Sequence, residues 1–248
     1  MSHLLSQEEW LSVLIGWCRY NCVDFLKMEI HFFLPHINMQ EICGGTALFF
    51  ATLYGNNTCS DILLQNGANP NIADYSGVTP LYIATVNNDI AMGCDLLKYG
   101  ADPNMSVLSR NGQYPIHVAV KNSNTQFVIV LVFSGANLDV ADSEGRSAIW
   151  YAADRGDLVI TKILIKNGAD LTRVDRVVSA IQNARARGHL VVARCIEKEA
   201  NWARRKSLLY VYLGLNARNK DIVTNYSNQY AIRTFQCYDT LRLICLFL

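Results

Sequence analysis

The sequence predicts an all-α fold, a solenoid of stacked helix-turn-helix units from which β-hairpin loops project. Two motif series support this prediction. One is Gly-Ala followed by Asn or Asp, and the other is an eight-residue segment that occurs as GGTALFFA, GVTPLYIA, GQYPIHVA and GRSAIWYA. The first series starts at Gly67, Gly100, Gly135 and Gly168, and the second at Gly44, Gly77, Gly112 and Gly145. Both advance by 33, 35 and 33 residues, and one period kept by two motifs over four copies indicates a repeat architecture.

The second of these units shows how each one is expected to fold. Thr79 can cap a helix whose first turn accommodates Pro80, because the first N–H groups of a helix have no partner inside it. A second helix is predicted over residues 90–99. Gly100 then ends that helix in a left-handed conformation that a Cβ would disfavour. Gly93, inside the second helix, should cost about 1 kcal/mol relative to alanine.

Both ends of the array are predicted to be degenerate units, because a stacked unit needs a cap on its free apolar face. Residues 10–33 keep two apolar helical segments around a break at 19–21, and a fifth unit has Val177 where the loop glycine is expected. The predicted division is a capping repeat at 1–42, repeats at 43–75, 76–110, 111–143, 144–175 and 176–200, and a capping helix with an unassigned tail at 201–248.

The eight-residue segments resemble the ankyrin repeat, whose signature is Thr-Pro-Leu-His-x-Ala at a period of 33 residues. The resemblance covers roughly residues 10–200. The histidine position holds Phe49, Tyr82, His117 and Trp150 in successive copies, so only one copy keeps the imidazole. Membership of this family would imply the fold described above and a role in binding another protein.

The resemblance also implies where a partner would bind, because partners of ankyrin repeats usually lie along the concave surface of loop tips and first helices. Mapped onto this chain, that surface changes from apolar and aromatic to charged. Aromatic and arginine side chains most often dominate binding energy at interfaces. The alternative is that Tyr54 and Tyr75 pack against neighbouring units and the charges are merely solvated. The candidate positions are Leu53, Tyr54, Tyr75, Val78, Val86, Arg110, Gln113, Lys121, Arg146, Asp154, Arg155, Arg176 and Arg187.

Charge is distributed unevenly along a chain whose formal net charge is +1. Residues 171–220 hold eleven Lys and Arg against three acidic residues. This basic segment could meet an acidic peptide, a nucleic acid or an anionic membrane, or it could be an ordinary solvated face. Aromatic residues are not interleaved with the basic ones as a base-stacking platform requires, so nucleic acid is the weaker hypothesis.

No sequence motif for catalysis or cofactor binding is present: there is no P-loop, GxGxxG, HExxH or GxSxG. We therefore expect a monomeric, non-enzymatic protein without cofactor, metal or small-molecule substrate. The eight cysteines form no CxxC pair, which is typical of reduced, buried thiols in an intracellular protein. The first residues do not resemble a signal peptide, and the expected location is the cytoplasm, with the nucleus as the alternative.

Two further sequence features suggest covalent modification. The chain ends in Cys-Leu-Phe-Leu from Cys245, which matches a prenylation motif and would make the protein a membrane-tethered regulatory subunit. The alternatives are an apolar tail packed against the cap and an irregular end produced by alternative splicing. Asn71 and Asn104 each lie in a loop eight residues after a leucine. By the family resemblance this context suggests hydroxylation, against the alternative of a simple turn residue.

Overall fold

The computed structural model of the chain describes residues 7–171 and 174–212, with side chains described for 9–171 and 177–206. Helices dominate these residues, and short turns connect them. The helices are α1 Gln7–Arg19, α2 Val23–Phe33, α3 Ala47–Leu53, α4 Asn57–Gln65, α5 Pro80–Val86, α6 Ile90–Lys98, α7 Pro115–Lys121, α8 Thr125–Phe133, α9 Ala148–Arg155, α10 Leu158–Lys166, α11 Val174–Ala186 and α12 Leu190–Tyr212.

Polar side chains cap helices α3, α5, α6 and α10, and the predicted cap at Thr79 is among them. The Oγ of Thr79 accepts a hydrogen bond from the backbone N–H of Tyr82 at 3.2 Å, with Pro80 at the first helical position. Asp89 caps the following helix in the same way, because its carboxylate accepts from Met92 N–H at 3.0 Å. Each such cap satisfies a backbone donor that the helix leaves free.

The predicted helix end at Gly100 is confirmed. Gly100 has φ +89°, and the N–H of Ala101 donates to the carbonyl of Leu96 at 2.9 Å. This closure satisfies a helix carbonyl that would otherwise have no partner. The equivalent bonds at Ala68, Ala136 and Ala169 have lengths of 3.0 Å, so one stop signal is used four times.

The helices form two layers. First helices α1, α3, α5, α7, α9 and α11 each contact the next first helix, and second helices α2, α4, α6, α8 and α10 do the same. Within each unit the two helices also pack against each other. The buried residues between the layers are the repeated Leu or Ile and Ala positions of the eight-residue segments. The all-α repeat fold predicted from the period is confirmed.

The loops between units are turns rather than paired strands. Within the described residues the β pairing is an isolated antiparallel bridge between Val107 and Gln113. It lies in the longest loop, which holds the two residues that lengthen the second step from 33 to 35 residues. The loops therefore keep their conformation mainly through side-chain hydrogen bonds and positive-φ glycines.

The N-terminal capping unit has the two predicted helices. They reverse direction at Asn21, a non-glycine residue with φ +55°. Trp10 and Trp17 pack edge-on against Phe33 with ring centroids 5.2 and 5.3 Å apart. Buried aromatic area thus replaces the small, close-packed residues that the inner units use.

The C-terminal units differ from the prediction. Helix α11 already begins at Val174, so the expected loop around residue 176 is helical instead. Val177 stands where earlier units have a glycine with positive φ, and a β-branched residue strongly disfavours that conformation. Helix α12 runs without interruption through residue 212, so the separate helix expected from 201 is its second half. The chain divides into compact units at 1–199 and 200–248, and the predicted tail at 216–248 lies outside the described residues.

Candidate functional site

Five apolar side chains are exposed at the loop tips and helix ends of the first two repeats, and we call them the aromatic end. Leu53 and Tyr54 finish helix α3, and Val86 finishes α5. Tyr75 is the most accessible of the predicted apolar and aromatic residues, with 74% of its surface exposed. The members are Ile42, Leu53, Tyr54, Tyr75 and Val86. Exposed apolar groups at neighbouring positions are uncommon on a protein that binds nothing there.

Arg19 extends the aromatic end from the capping unit. Its guanidinium lies 5.4 Å from the ring centroids of both Phe50 and Tyr54. From the sequence, Arg19 is predicted only as part of the break between two helical segments, so its place beside the aromatic end was not predicted. The signal that could have identified it is the period itself, since α1 is a first helix whose end precedes those of α3 and α5.

The loop tips of the aromatic end are fixed to one another. The N–H of Tyr75 donates to the carbonyl of Cys43 at 3.1 Å. The amide of Gln40 donates to the carbonyls of Gly44 and Ala73 at 2.8 and 3.0 Å. Gly44 has φ +84°, and a Cβ there would lie 2.5 Å from the backbone nitrogen of Tyr75. The backbone that carries Tyr75 is therefore held in place before any partner arrives.

Two predicted groove residues are less exposed than the sequence predicts. Gln113 is buried, and its amide donates to the hydroxyl of Tyr151 at 3.0 Å. Val78 is half-buried against a cluster of Tyr82, Val107 and Val118. Both follow a loop glycine directly, where the chain turns inward to start a first helix. Gln113 is therefore not exposed as the sequence predicts and Val78 is only partly exposed, and their contact with a partner stays a prediction.

The exposed residues of the middle repeat lie around its long loop. Arg110 and Lys121 are both exposed, as the sequence predicts. Leu108, which the sequence analysis did not single out, is 82% exposed in the same loop. The loop is attached to its neighbour because Ser109 donates a hydrogen bond to the carbonyl of Ser76 at 2.7 Å.

A buried polar network begins the charged part of the surface. Asp142 is its centre, and its carboxylate accepts from the Tyr151 hydroxyl at 2.6 Å and from Arg146 Nε at 2.8 Å. Burial alone would raise the pKa of Asp142, but these hydrogen bonds and the backbone N–H of Glu144 outweigh it and lower the pKa. Burial, together with the bond to Asp142, raises the pKa of Tyr151 to about 12.

Arg146 is only partly available to a partner because of this network. Its guanidinium also pairs with Glu144 at 2.7 Å and lies over the rings of Trp150 and Tyr151 at 5.3 and 5.2 Å. The side chain is 21% exposed. Arg146 therefore connects the fourth loop to its own helix, and this role limits its contact with a ligand.

The one copy of the repeat that has a histidine at the signature position belongs to the same region. His117 is fully buried, its Nε2–H donates to the Val140 carbonyl at 3.1 Å, and its Nδ1 accepts from Tyr114 N–H at 3.4 Å. Burial lowers its pKa to about 4. At the matching position of the next unit, Trp150 donates to Ser179 Oγ at 3.2 Å. Different side chains thus link neighbouring units at one repeat position.

Three further candidates complete the charged end, which we define as Arg146, Asp154, Arg155 and Arg187. Asp154 is half-buried, pairs with Arg187 at 2.7 Å and accepts from Asn183 at 2.9 Å. Arg155 is exposed. The backbone of Arg176 lies in helix α11, while its side chain lies outside the described side chains.

The two asparagines suggested for modification serve as links between loops. Asn71 donates to the Gly100 carbonyl at 2.9 Å and accepts from Asp102 N–H at 2.7 Å. Asn104 makes the equivalent pair of bonds to the following loop, at 3.2 and 2.7 Å. Their hydroxylation stays a prediction. Cys245 lies outside the described residues.

Thiols and other ligands form no metal centre in the part of the chain that the structure describes. The cysteines there are unpaired, with Cys18 and Cys59 buried, but Cys43 and Cys94 are exposed. The expectation of buried thiols was therefore wrong for the last two. None of the described helices is long and apolar enough to span a membrane.

The repeats are similar to those of known proteins. The family model for ankyrin repeats in three copies matches residues 14–107 and 94–175. Interferon antagonist OPG039 of Monkeypox virus is 33% identical over 56 residues, which cover 23% of this chain and 20% of that protein. Protein glp-1 of Caenorhabditis elegans is 32% identical over 99 residues, 40% of this chain and 8% of that protein.

The B-cell lymphoma 3 protein homolog of Mus musculus is 32% identical over 85 residues, 34% of this chain and 17% of that protein. The matched segments span about a fifth or less of each of these relatives. What they share with the chain is therefore the repeat, which is typically a non-enzymatic module. The chain belongs to the ankyrin-repeat family, whose members are generally protein–protein interaction modules.

Proposed function

We propose that the chain is a non-catalytic adaptor that binds a partner protein on the surface of its loop tips and first-helix ends. The observation that carries the proposal is the aromatic end, where five apolar side chains stay exposed beside a layer of buried ones. The partner would be met in the cytoplasm or nucleus by a monomeric chain. Membership of a family of interaction modules supports the same role.

The aromatic end has the composition that gives binding energy. Tyrosine and arginine are enriched among the residues that dominate interfaces, and Tyr54, Tyr75 and Arg19 lie within or beside this set. A tyrosine offers a large contact area while fixing only two side-chain torsions. The hydrogen bond from the Tyr75 N–H to the Cys43 carbonyl fixes the backbone that carries one of these side chains, and preorganisation of this kind lowers the entropy cost of association.

The charged part of the surface would orient the partner. Arg110, Lys121 and Arg155 are exposed cations along the later repeats. Exposed charges mainly raise association rates and select against wrong partners, and they add little affinity. We therefore expect a partner with an apolar anchor for the aromatic end and acidic residues along the rest of its contact surface.

The experiment is affinity capture from cell lysate followed by mass spectrometry, using the full chain and a Tyr54→Ala/Tyr75→Ala variant. Both substituted side chains are about half or more exposed, so the variant should fold. We expect a small set of proteins to be recovered with the parent chain and lost with the variant. Equal thermal unfolding midpoints, followed by circular dichroism, confirm that the variant is folded.

Phe133→Ala is the matched control because it removes an aromatic side chain that is 83% exposed on the opposite, second-helix layer. It should recover the same proteins as the parent. If the tyrosine variant recovers them as well, the aromatic end is not the binding surface and the proposal fails. Arg155→Glu then separates affinity from steering, since it should weaken binding mainly at low salt.

A further inference from the structure

The exposed face of the second-helix layer has an unusual pattern in the later repeats. In each of helices α6, α8, α10 and α12, the side chains at the same three positions are exposed. They lie two, five and nine residues after the residue that immediately precedes the helix. These twelve positions define what we call the outer face. In chain order they are Ala91, Cys94, Lys98, Gln126, Ile129, Phe133, Val159, Lys162, Lys166, Val191, Arg194 and Lys198.

The outer face contains cations and apolar groups but no acid. Five of its twelve residues are Lys or Arg and four are large apolar residues. The same three positions on α2 and α4 hold one lysine and two aspartates, at Lys27, Asp24 and Asp61. The pattern therefore belongs to the later repeats alone, and the repeat architecture as such does not produce it.

The geometry places these side chains side by side. Helix α8 contacts α6 and α10 directly, and packed helices lie about 10 Å apart. Phe133 therefore projects between Lys98 and Lys166, which occupy the same position on the neighbouring helices. In α12, Val192 and Ile196 repeat the burial of Ile160 and Leu164, so the same three positions face outward on α12 as on α10.

Four of the five cations on this face make no ion pair with the part of the protein that the structure describes. Among the described residues, no ion pair involves Lys162, Lys166, Arg194 or Lys198. Lys98 lies 5.4 Å above the ring of Tyr99, beside an open hollow of about 360 Å³ between α6 and α8. That hollow combines the ammonium group of Lys98 and the hydroxyl of Ser134 with an apolar lining from Leu97 and Val130.

We propose that the outer face binds an anionic lipid surface. Lysines that approach anionic headgroups and apolar side chains that enter the boundary below them are the two components of binding at a membrane surface. A nucleic acid would neutralise the cations but leave Phe133, Val159 and Val191 against phosphates. An acidic helix would cover one row of the face, whereas the cations are spread over three helices, α6, α10 and α12.

The test is cosedimentation of the full, unlipidated chain with vesicles of phosphatidylcholine, with and without phosphatidylserine. The parent should bind only the vesicles that contain phosphatidylserine, and binding should weaken as salt increases. Lys162→Gln/Lys166→Gln/Lys198→Gln should reduce the affinity about 100-fold, since each lysine near such a surface contributes about fivefold. Phe133→Ser should reduce it by about tenfold without changing the salt dependence.

The matched control is Lys27→Gln/Lys121→Gln/Arg155→Gln, which removes the same charge from exposed positions elsewhere. It should stay within about threefold of the parent, and thermal melts should show all variants folded. Equal losses in both triple variants would mean that net charge alone matters, and the proposal would fail. It would also fail if the parent did not bind phosphatidylserine, or if Phe133→Ser had no effect.

Discussion

The aromatic end and the charged end lie on the same repeated framework, yet they use their side chains in opposite ways. At the aromatic end, Tyr75 and Leu53 face solvent, and the backbone around them is held by loop-to-loop hydrogen bonds. At the charged end, Arg146 forms an ion pair with Asp142 and Arg187 forms one with Asp154. Asp154 also accepts a hydrogen bond from Asn183. Residues that the sequence groups together as candidates for binding therefore differ in what they are free to do.

This difference separates stability from recognition. Removing an exposed tyrosine takes away contact area for a partner and little else, whereas removing a member of the buried network leaves its partners unsatisfied. We expect substitutions at the charged end to change the free energy of unfolding and those at the aromatic end to change affinity.

The largest effect should come from Asp142→Ala. Its carboxylate is fully buried and accepts bonds from Tyr151, Arg146 and the backbone N–H groups of Glu144 and Arg146. Breaking a buried pair leaves the other charge uncompensated. We expect the free energy of unfolding to fall by roughly 3 to 5 kcal/mol, measured by urea denaturation.

Glu144→Ala is the matched control for this substitution, because Glu144 also pairs with Arg146 but its side chain is 54% exposed. An exposed ion pair contributes about 0 to 1 kcal/mol, so the two variants should differ several-fold in effect. Equal effects would contradict the central role of Asp142.

Acid should destabilise the same region through His117. The pKa of its imidazole is lowered to about 4 in the folded state, against an ordinary value near 6.5 in the unfolded chain. The unfolded state binds the proton more readily, so stability is complete above about pH 6.5 and is lost as the pH falls toward 4. The loss should reach up to about 3 kcal/mol.

Urea denaturation at several pH values measures this loss, with His117→Gln as the comparison. Glutamine does not titrate, so the variant should start less stable at neutral pH but show a flatter curve between about pH 6.5 and 4. If the two curves stay parallel over that range, protonation of His117 does not contribute to acid destabilisation.

The packing contact between helices α6 and α8 should also be sensitive to substitution. Gly93 in α6 faces the ring of Phe127 in α8, and a Cβ on Gly93 would lie 2.5 Å from that ring. Gly93→Ala should therefore destabilise the protein by about 2 kcal/mol through overpacking, although alanine is the better helix former by about 1 kcal/mol. Thermal unfolding measures the sign directly.

Two further variants test the cause. In α1, an added Cβ on Gly16 meets nothing within 4 Å, so Gly16→Ala should stabilise the protein through helix propensity. Phe127→Leu in the Gly93→Ala background should recover part of the lost stability by removing the ring edge. A stabilising Gly93→Ala would show that the second-helix layer adjusts freely at this seam.

Local rules made much of the framework predictable. The period, the cap at Thr79 and the helix end at Gly100 each depend on a few neighbouring residues, and the structure has all three. The start of α11 was not predicted, because the absence of a glycine at Val177 indicated a degraded loop but did not show that the helix would extend back.

The site was less predictable than the framework, since its properties depend on contacts between units. Gln113 occupies a position that resembles a surface residue in sequence, and only the placement of Tyr151, 38 residues later, shows that it is buried. Arg19 gains its role from Phe50 and Tyr54 in the next unit. Similarly, the sequence shows Gly93 only as an unfavourable residue inside a helix, whereas the structure shows that the missing Cβ leaves room for the ring of Phe127.

The smallest effect should come from Arg187→Gln, and it tests whether every charged contact matters equally. Arg187 pairs with Asp154 at 2.7 Å, but its side chain is 57% exposed, so water and salt screen the interaction. We expect a loss of about 0.5 kcal/mol or less by urea denaturation, which disappears at high salt. Asp154→Ala should cost more, because it also removes the acceptor for Asn183. A loss above about 2 kcal/mol for Arg187→Gln would place this pair with the buried network, and the charged end would then have only Arg155 free for a partner.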